Sequence, residues 1–160
     1  ALVEGLGYSA VSTLLNSGNV VFTAPKTEPA RIAVRIQAGL EKKLGVSARV
    51  TVLSGRELAD VIEANPLVGI ADNPSRLVVG ILGDSSDRQK LPEITAKDWG
   101  AEKITLGTGA AVRALYTWIP DGQIESRLFA AVSKALKDGV TARNWATMLK
   151  LQEMLAKGGD

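Results

Sequence analysis

Ser12–Thr23, STLLNSGNVVFT, is the most decodable part of the first half, and the elements around it fall into place once it is a hairpin. Two β-prone runs, Leu14-Leu15 and Val20-Val21-Phe22, flank Asn16-Ser17-Gly18-Asn19. Four turn formers between two such runs predict a hairpin. Gly18 can adopt positive φ without a Cβ clash, and Asn16 and Asn19 tolerate that geometry better than most residues.

Upstream, residues 1–6 read as the tail of a helix that Gly7 stops. If the first half repeats the order of the second, a strand is expected before Ala1. Downstream, Ala24-Pro25 ends the hairpin, and Thr27 is placed to cap a helix opening with Glu28 and Pro29. Ile32, Ile36, Leu40 and Leu44 recur every four residues on one face. Residues 49–53 (RVTVL) alternate as a strand, and Ser54-Gly55-Arg56-Glu57 has the spacing of a capping box for a helix that Asn65-Pro66 ends.

Residues 67–75 form a loop, and the boundary between two halves is placed at its start. Leu77 to Leu82 (LVVGIL) is a continuous apolar run, expected as a strand buried on both faces. Pro92 starts a helix running to about Asp98. Residues 102–106 and 112–119 are predicted strands joined at Gly107-Thr108-Gly109. After the Pro120-Asp121-Gly122 turn come a helix over 123–137, a short strand at 140–142 and a final helix capped by Asn144. Each half thus reads as β-α-β-β-α-β. The expected fold is α+β: two ferredoxin-like subdomains, 1–66 and 67–160, as a pseudo-duplication, the first truncated at its N-terminus and the second closed by a C-terminal helix.

Composition narrows the chemistry. The 160 residues are 46% hydrophobic and 4% aromatic, so the core is aliphatic. With no Cys and no His, disulfides, thiol catalysis, Ser-His-Asp hydrolysis and the usual zinc, copper and haem ligand sets are excluded. No metal or cofactor is called for. The net charge of +2 does not by itself imply nucleic acid. No apolar run approaches the roughly 20 residues of a membrane span. The expectation is a cytoplasmic protein.

LLNSGNVVF at 14–22, Asn65-Pro66, the PDG turn at 120–122 followed by Ser126 and Leu128, and TARNW at 141–145 occur in one order. As a set they resemble the bacterial domain of unknown function numbered 1697. The resemblance spans nearly the whole chain. Leu14 stands where that family usually has an aromatic, and Asn16 where it often has Gln. The resemblance implies a two-subdomain α+β fold and no established activity, and it transfers no catalytic residue.

Five residues are candidates for binding. Arg143 and Asn144 precede a helix, where a guanidinium and free N–H groups suit a phosphate or carboxylate; the plainer alternative is an N-cap beside a structural ion pair. Tyr116 and Trp118 share one face of a strand. On an open face they would stack bases, and otherwise they pack in a seam or a dimer interface. Asn19 at the hairpin tip either touches a ligand or serves the turn. Arg127, Lys134, Lys137, Lys150 and Lys157 lie on polar helix faces. The leading expectation is a non-enzymatic binding module for an anionic ligand or nucleic acid. A protein-interaction or homodimer unit is the alternative. An enzyme using only Lys, Arg, Asp or Ser ranks below both, because no nucleophile–base pair can be named.

Overall fold

A computed structural model describes residues 2–14 and 18–158. The chain is α+β and divides into two compact units. One comprises the residues up to Gly55 together with those from Lys150, the other Arg56–Leu149.

The first unit opens with a short helix α1 (Leu2–Gly5). Strands β1 (Ser9–Leu14) and β2 (Asn19–Thr23) then pair antiparallel as the expected hairpin, with Gly18 at φ +79°. The register slips by one residue between Ser9 and Ser12, where Ala10 has φ +51°. An extra residue in the left-handed region is the geometry of a β-bulge. Helix α2 (Pro29–Leu44) packs Ile32 and Ile36 against Tyr8, and the Tyr8 ring stacks on Phe22 at 4.9 Å. Pro occupies its first turn, where the missing N–H costs nothing.

Three expectations for this unit are corrected. The residue at the α2 N-cap is Glu28, not Thr27, and no side chain caps it. Leu44 continues the apolar period but is 63% exposed, because the chain turns away at Gly45. Residues 49–53 belong to neither sheet. Val50 and Val52 do face the Ile32–Ile36 cluster, so the alternation is real, but the Val50 N–H donates to the Gln37 side chain at 2.8 Å instead of to a sheet.

The second unit begins at Arg56 in the first turn of helix α3 (Gly55–Glu63), which buries Leu58 and Val61. Its sheet holds β3 (Leu77–Leu82), β4 (Lys103–Leu106), β5 (Ala114–Trp118) and β6 (Val140–Asn144), in the spatial order β4-β5-β3-β6 with every pair antiparallel. All six residues of β3 are buried, as a central strand requires. Helix α4 (Pro92–Ala96) follows β3, and helix α5 (Arg127–Leu136) links β5 to β6. A 3-10 turn at Ser85–Lys90, which sequence reading missed, precedes α4 and is capped by Asp84 through the Ser86 N–H at 2.9 Å. The β4–β5 connection is longer than a tight hairpin and carries a 3-10 turn at Gly109–Ala111. Val78, Leu82, Leu115 and Ile119 form one core with Leu128, Val132 and Leu136 of α5. Gly80 keeps that core dense: a Cβ there would stand 2.9 Å from Leu115 Cγ and 3.0 Å from Val140 Cγ2.

Sequence reading set the division at 66/67, whereas α3 lies with the second unit in the structure. The reason is polar as well as apolar. Tyr116 and Arg113, both from the second unit, bond to α3. Helix α6 (Trp145–Lys157) starts in the second unit, and its residues from Lys150 belong to the first.

Candidate binding site

Register across the second sheet assembles three of the five candidates. Thr105, Tyr116, Val79 and Arg143 lie opposite one another in a single row, and Lys103, Trp118 and Leu77 form the next. Side chains alternate along strands, so Tyr116, Trp118 and Arg143 share one face. That much follows from spacing plus pairing.

The face is not open. Tyr116 is fully buried and Trp118 is 8% exposed. The Tyr116 hydroxyl donates to the Val61 carbonyl at 2.7 Å, which ties α3 over this face. Burial pushes the Tyr116 phenol up to about 12, so it stays protonated and remains a donor. Glu57 at the start of α3 forks onto Arg113, with Nε–Oε2 at 2.8 Å and Nη2–Oε1 at 2.5 Å. Arg113 Nη1 also reaches the Leu82 carbonyl at 3.3 Å. A bidentate guanidinium–carboxylate pair fixes orientation as well as distance. The expected stacking platform is therefore a helix-covered core, and the two aromatics are packing residues in this structure.

Arg143 and Asn144 sit at the half-buried end of β6. Asn144 Oδ1 accepts the Thr147 N–H at 2.9 Å and so caps α6. Arg143 Nη1 donates to the neighbouring Ala142 carbonyl at 2.8 Å. The Trp145 N–H is bonded to the Pro74 carbonyl at 3.1 Å, which anchors this helix start to the turn before β3. Trp145 itself is buried.

Asn19 belongs to the first unit. It is buried, and its Nδ2 donates to the Leu14 carbonyl at 3.4 Å, closing the hairpin neck. Asn16 and Ser17 lie outside the described residues.

Several polar residues that organise the second unit escaped sequence reading. Glu102 receives the Ser126 hydroxyl and the Leu128 N–H at 3.3 Å, placing a carboxylate at the α5 N-terminus. Arg88 holds the 107–112 loop through the carbonyls of Gly107 and Val112, at 2.7 and 2.9 Å. Glu57 and Arg113 are 56 residues apart in sequence, so no local pattern could have paired them.

The concave features are modest. An apolar void of 20 Å³ lies between the sheet and α5, beside Gly80 and Phe129. A more open depression of 220 Å³ is lined by Asp60 and Glu63 of α3, by Ala64 just after it and by the 108–111 loop. Among the described residues no cluster of three or more carboxylates could hold a metal ion. No described helix is long and apolar enough to cross a membrane.

Fold and site together define an α+β protein whose four-stranded sheet is held under a helix by buried hydrogen bonds. The family model described as "Protein of unknown function (DUF1697)" matches residues 1–111, and the chain belongs to that family. The solved structure of a conserved bacterial protein, SP0830 from Streptococcus pneumoniae, is similar with a TM-score of 0.74. The match is 18% identical and covers 96% of this chain and 84% of that one. At that identity the likeness concerns the fold alone. No curated protein matches the chain.

Proposed function

We propose that this protein is a non-enzymatic binding module for an anionic ligand or a nucleic acid, with the Arg143–Asn144 segment at its centre. One observation carries the reading: Asn144 caps α6 with its side chain while Arg143, the residue before it, lies half-buried on β6. An arginine thus directly precedes the N-cap of a thirteen-residue helix, whose N-terminus is its positive end. Both favour phosphate or carboxylate oxygens. Because Tyr116 is buried, the reading takes contact through charge rather than base stacking.

Two finer structural readings accompany it. The β4-β5-β3-β6 order supports taking the second unit as ferredoxin-like, and the hairpin-plus-helix content of the first supports a shortened copy. The absence of Cys fits a cytoplasmic setting.

The test is fluorescence anisotropy of a labelled single-stranded oligonucleotide at low salt. Binding is expected to weaken as salt rises and to fall about tenfold in Arg143→Ala. Absence of binding at low salt would overturn the nucleic-acid form.

A further inference from the structure

The second unit contains four half-buried arginines, Arg76, Arg88, Arg113 and Arg143. Three of them donate to protein acceptors. Arg88 grips the carbonyls of Gly107 and Val112, Arg113 grips Glu57, and Arg143 donates to the Ala142 carbonyl. The Arg76 guanidinium has no such acceptor and no ion pair among the described residues. Asp121, the nearest acid in the facing turn by sequence, is exposed and does not pair with it.

Arg76 is nonetheless held in place. Its guanidinium lies on Gly122 of the PDG turn, where a Cβ would stand 1.7 Å from Nη1 and 3.0 Å from Cζ. Gly122 has φ +90°, so the position excludes other residues twice, by backbone conformation and by contact. The surrounding frame is fixed by backbone hydrogen bonds. The Ile119 N–H donates to the Arg76 carbonyl at 3.0 Å, and the Gly122 N–H to the Ile119 carbonyl at 2.9 Å. The Arg76 N–H donates to the Asn73 carbonyl at 3.0 Å, and the Trp145 N–H to the Pro74 carbonyl at 3.1 Å. Two turns and the first residue of α6 therefore fix the backbone at and just before Arg76.

A half-buried guanidinium gives up part of its hydration. Arg88 and Arg113 regain it from protein oxygens, and Arg76 does not. A planar fork that is already ordered suits the two coplanar oxygens of a carboxylate or phosphate. We propose that Arg76, seated on Gly122, is a recognition residue for a small-molecule oxyanion, either a carboxylate or a phosphate. The proposal rests on the anionic-ligand reading above, but it places the recognising fork at Arg76 rather than Arg143.

The experiment is an amide NMR titration of the full chain with inorganic phosphate and, separately, with acetate. The expected result is saturable shifts at the Gly122 amide and the Arg76 Nε–H, with affinity reduced about tenfold or more in Arg76→Gln. The tighter of the two anions identifies which oxyanion the site takes. Arg76→Lys keeps the charge and loses the fork, so it is expected to bind several-fold more weakly than wild type. It also provides the comparison if Arg76→Gln does not fold. Saturable binding that survives both Arg76 variants but is lost in Arg143→Ala would overturn this assignment and leave the earlier reading standing. Linear shifts, alike in wild type and variants, would overturn this assignment together with the small-anion form of the earlier reading, whose nucleic-acid form is decided by the oligonucleotide measurement.

Discussion

The hairpin of the first unit and the sheet of the second are both antiparallel, yet they are built to different standards. No residue of β1 is fully buried, whereas β3 and β5 are buried along their whole lengths. The hairpin cluster centres on three buried side chains, Tyr8, Ile32 and Ile36. A cluster of eight buried residues lies on the α5 side of the sheet, and α3 is tied to Tyr116 on the other face. A two-stranded ribbon cannot bury both faces, and two strands alone are marginal in water. Strand propensity thus predicts pairing in both regions, but only the neighbours decide which becomes core.

The largest effect should expose that contrast directly. Tyr116→Ala removes a fully buried ring and leaves the Val61 carbonyl without its donor, so a loss of about 3–5 kcal/mol is expected. Val20→Ala on β2, at a side chain that is 39% exposed, should cost no more than about 0.5 kcal/mol. Urea unfolding of the two variants measures both. Comparable losses would erase the distinction between the regions.

A smaller effect follows from the raised Tyr116 phenol. Its folded value of about 12 lies above the ordinary value near 10, so folding favours the protonated form. The stabilisation is complete below about pH 10 and is lost as pH rises through about 12. Tyr116→Phe lacks this dependence. The stability gap between wild type and Tyr116→Phe should be constant up to about pH 10 and narrow above it. A gap that stays constant to pH 12 would mean that the phenol is not buried as described.

The parts legible in the sequence were those governed by neighbours along the chain. LVVGIL announced a central strand, Pro92 marked the start of α4, and Gly18 with its flanking Asn residues marked the hairpin. Asn144 was legible as a cap because its partner, Thr147, is three residues away. The rest depends on distant partners. Residues 49–53 alternate like a strand, but pairing is a property of the partner, and Val50 is bonded to a helix side chain instead. The same spacing rule that put Tyr116, Trp118 and Arg143 on one face could not say that α3 covers it. Glu57 looked like half of a local capping box, and its fork onto Arg113 spans 56 residues. Arg76 carried no signal of its own, although the PDG turn that seats it stood out as a motif.

The aromatics of the second unit's sheet are buried, with α3 tied over Tyr116. Native-state hydrogen exchange compares the amides of Ala114–Trp118 with those of Ser9–Leu14 and Asn19–Thr23. The β5 amides are expected to exchange only through global unfolding, while those of β1 and β2 open locally and exchange faster. Exchange of β5 as fast as that of β1 and β2 would contradict this, because α3 would then be a cover that lifts from an accessible face.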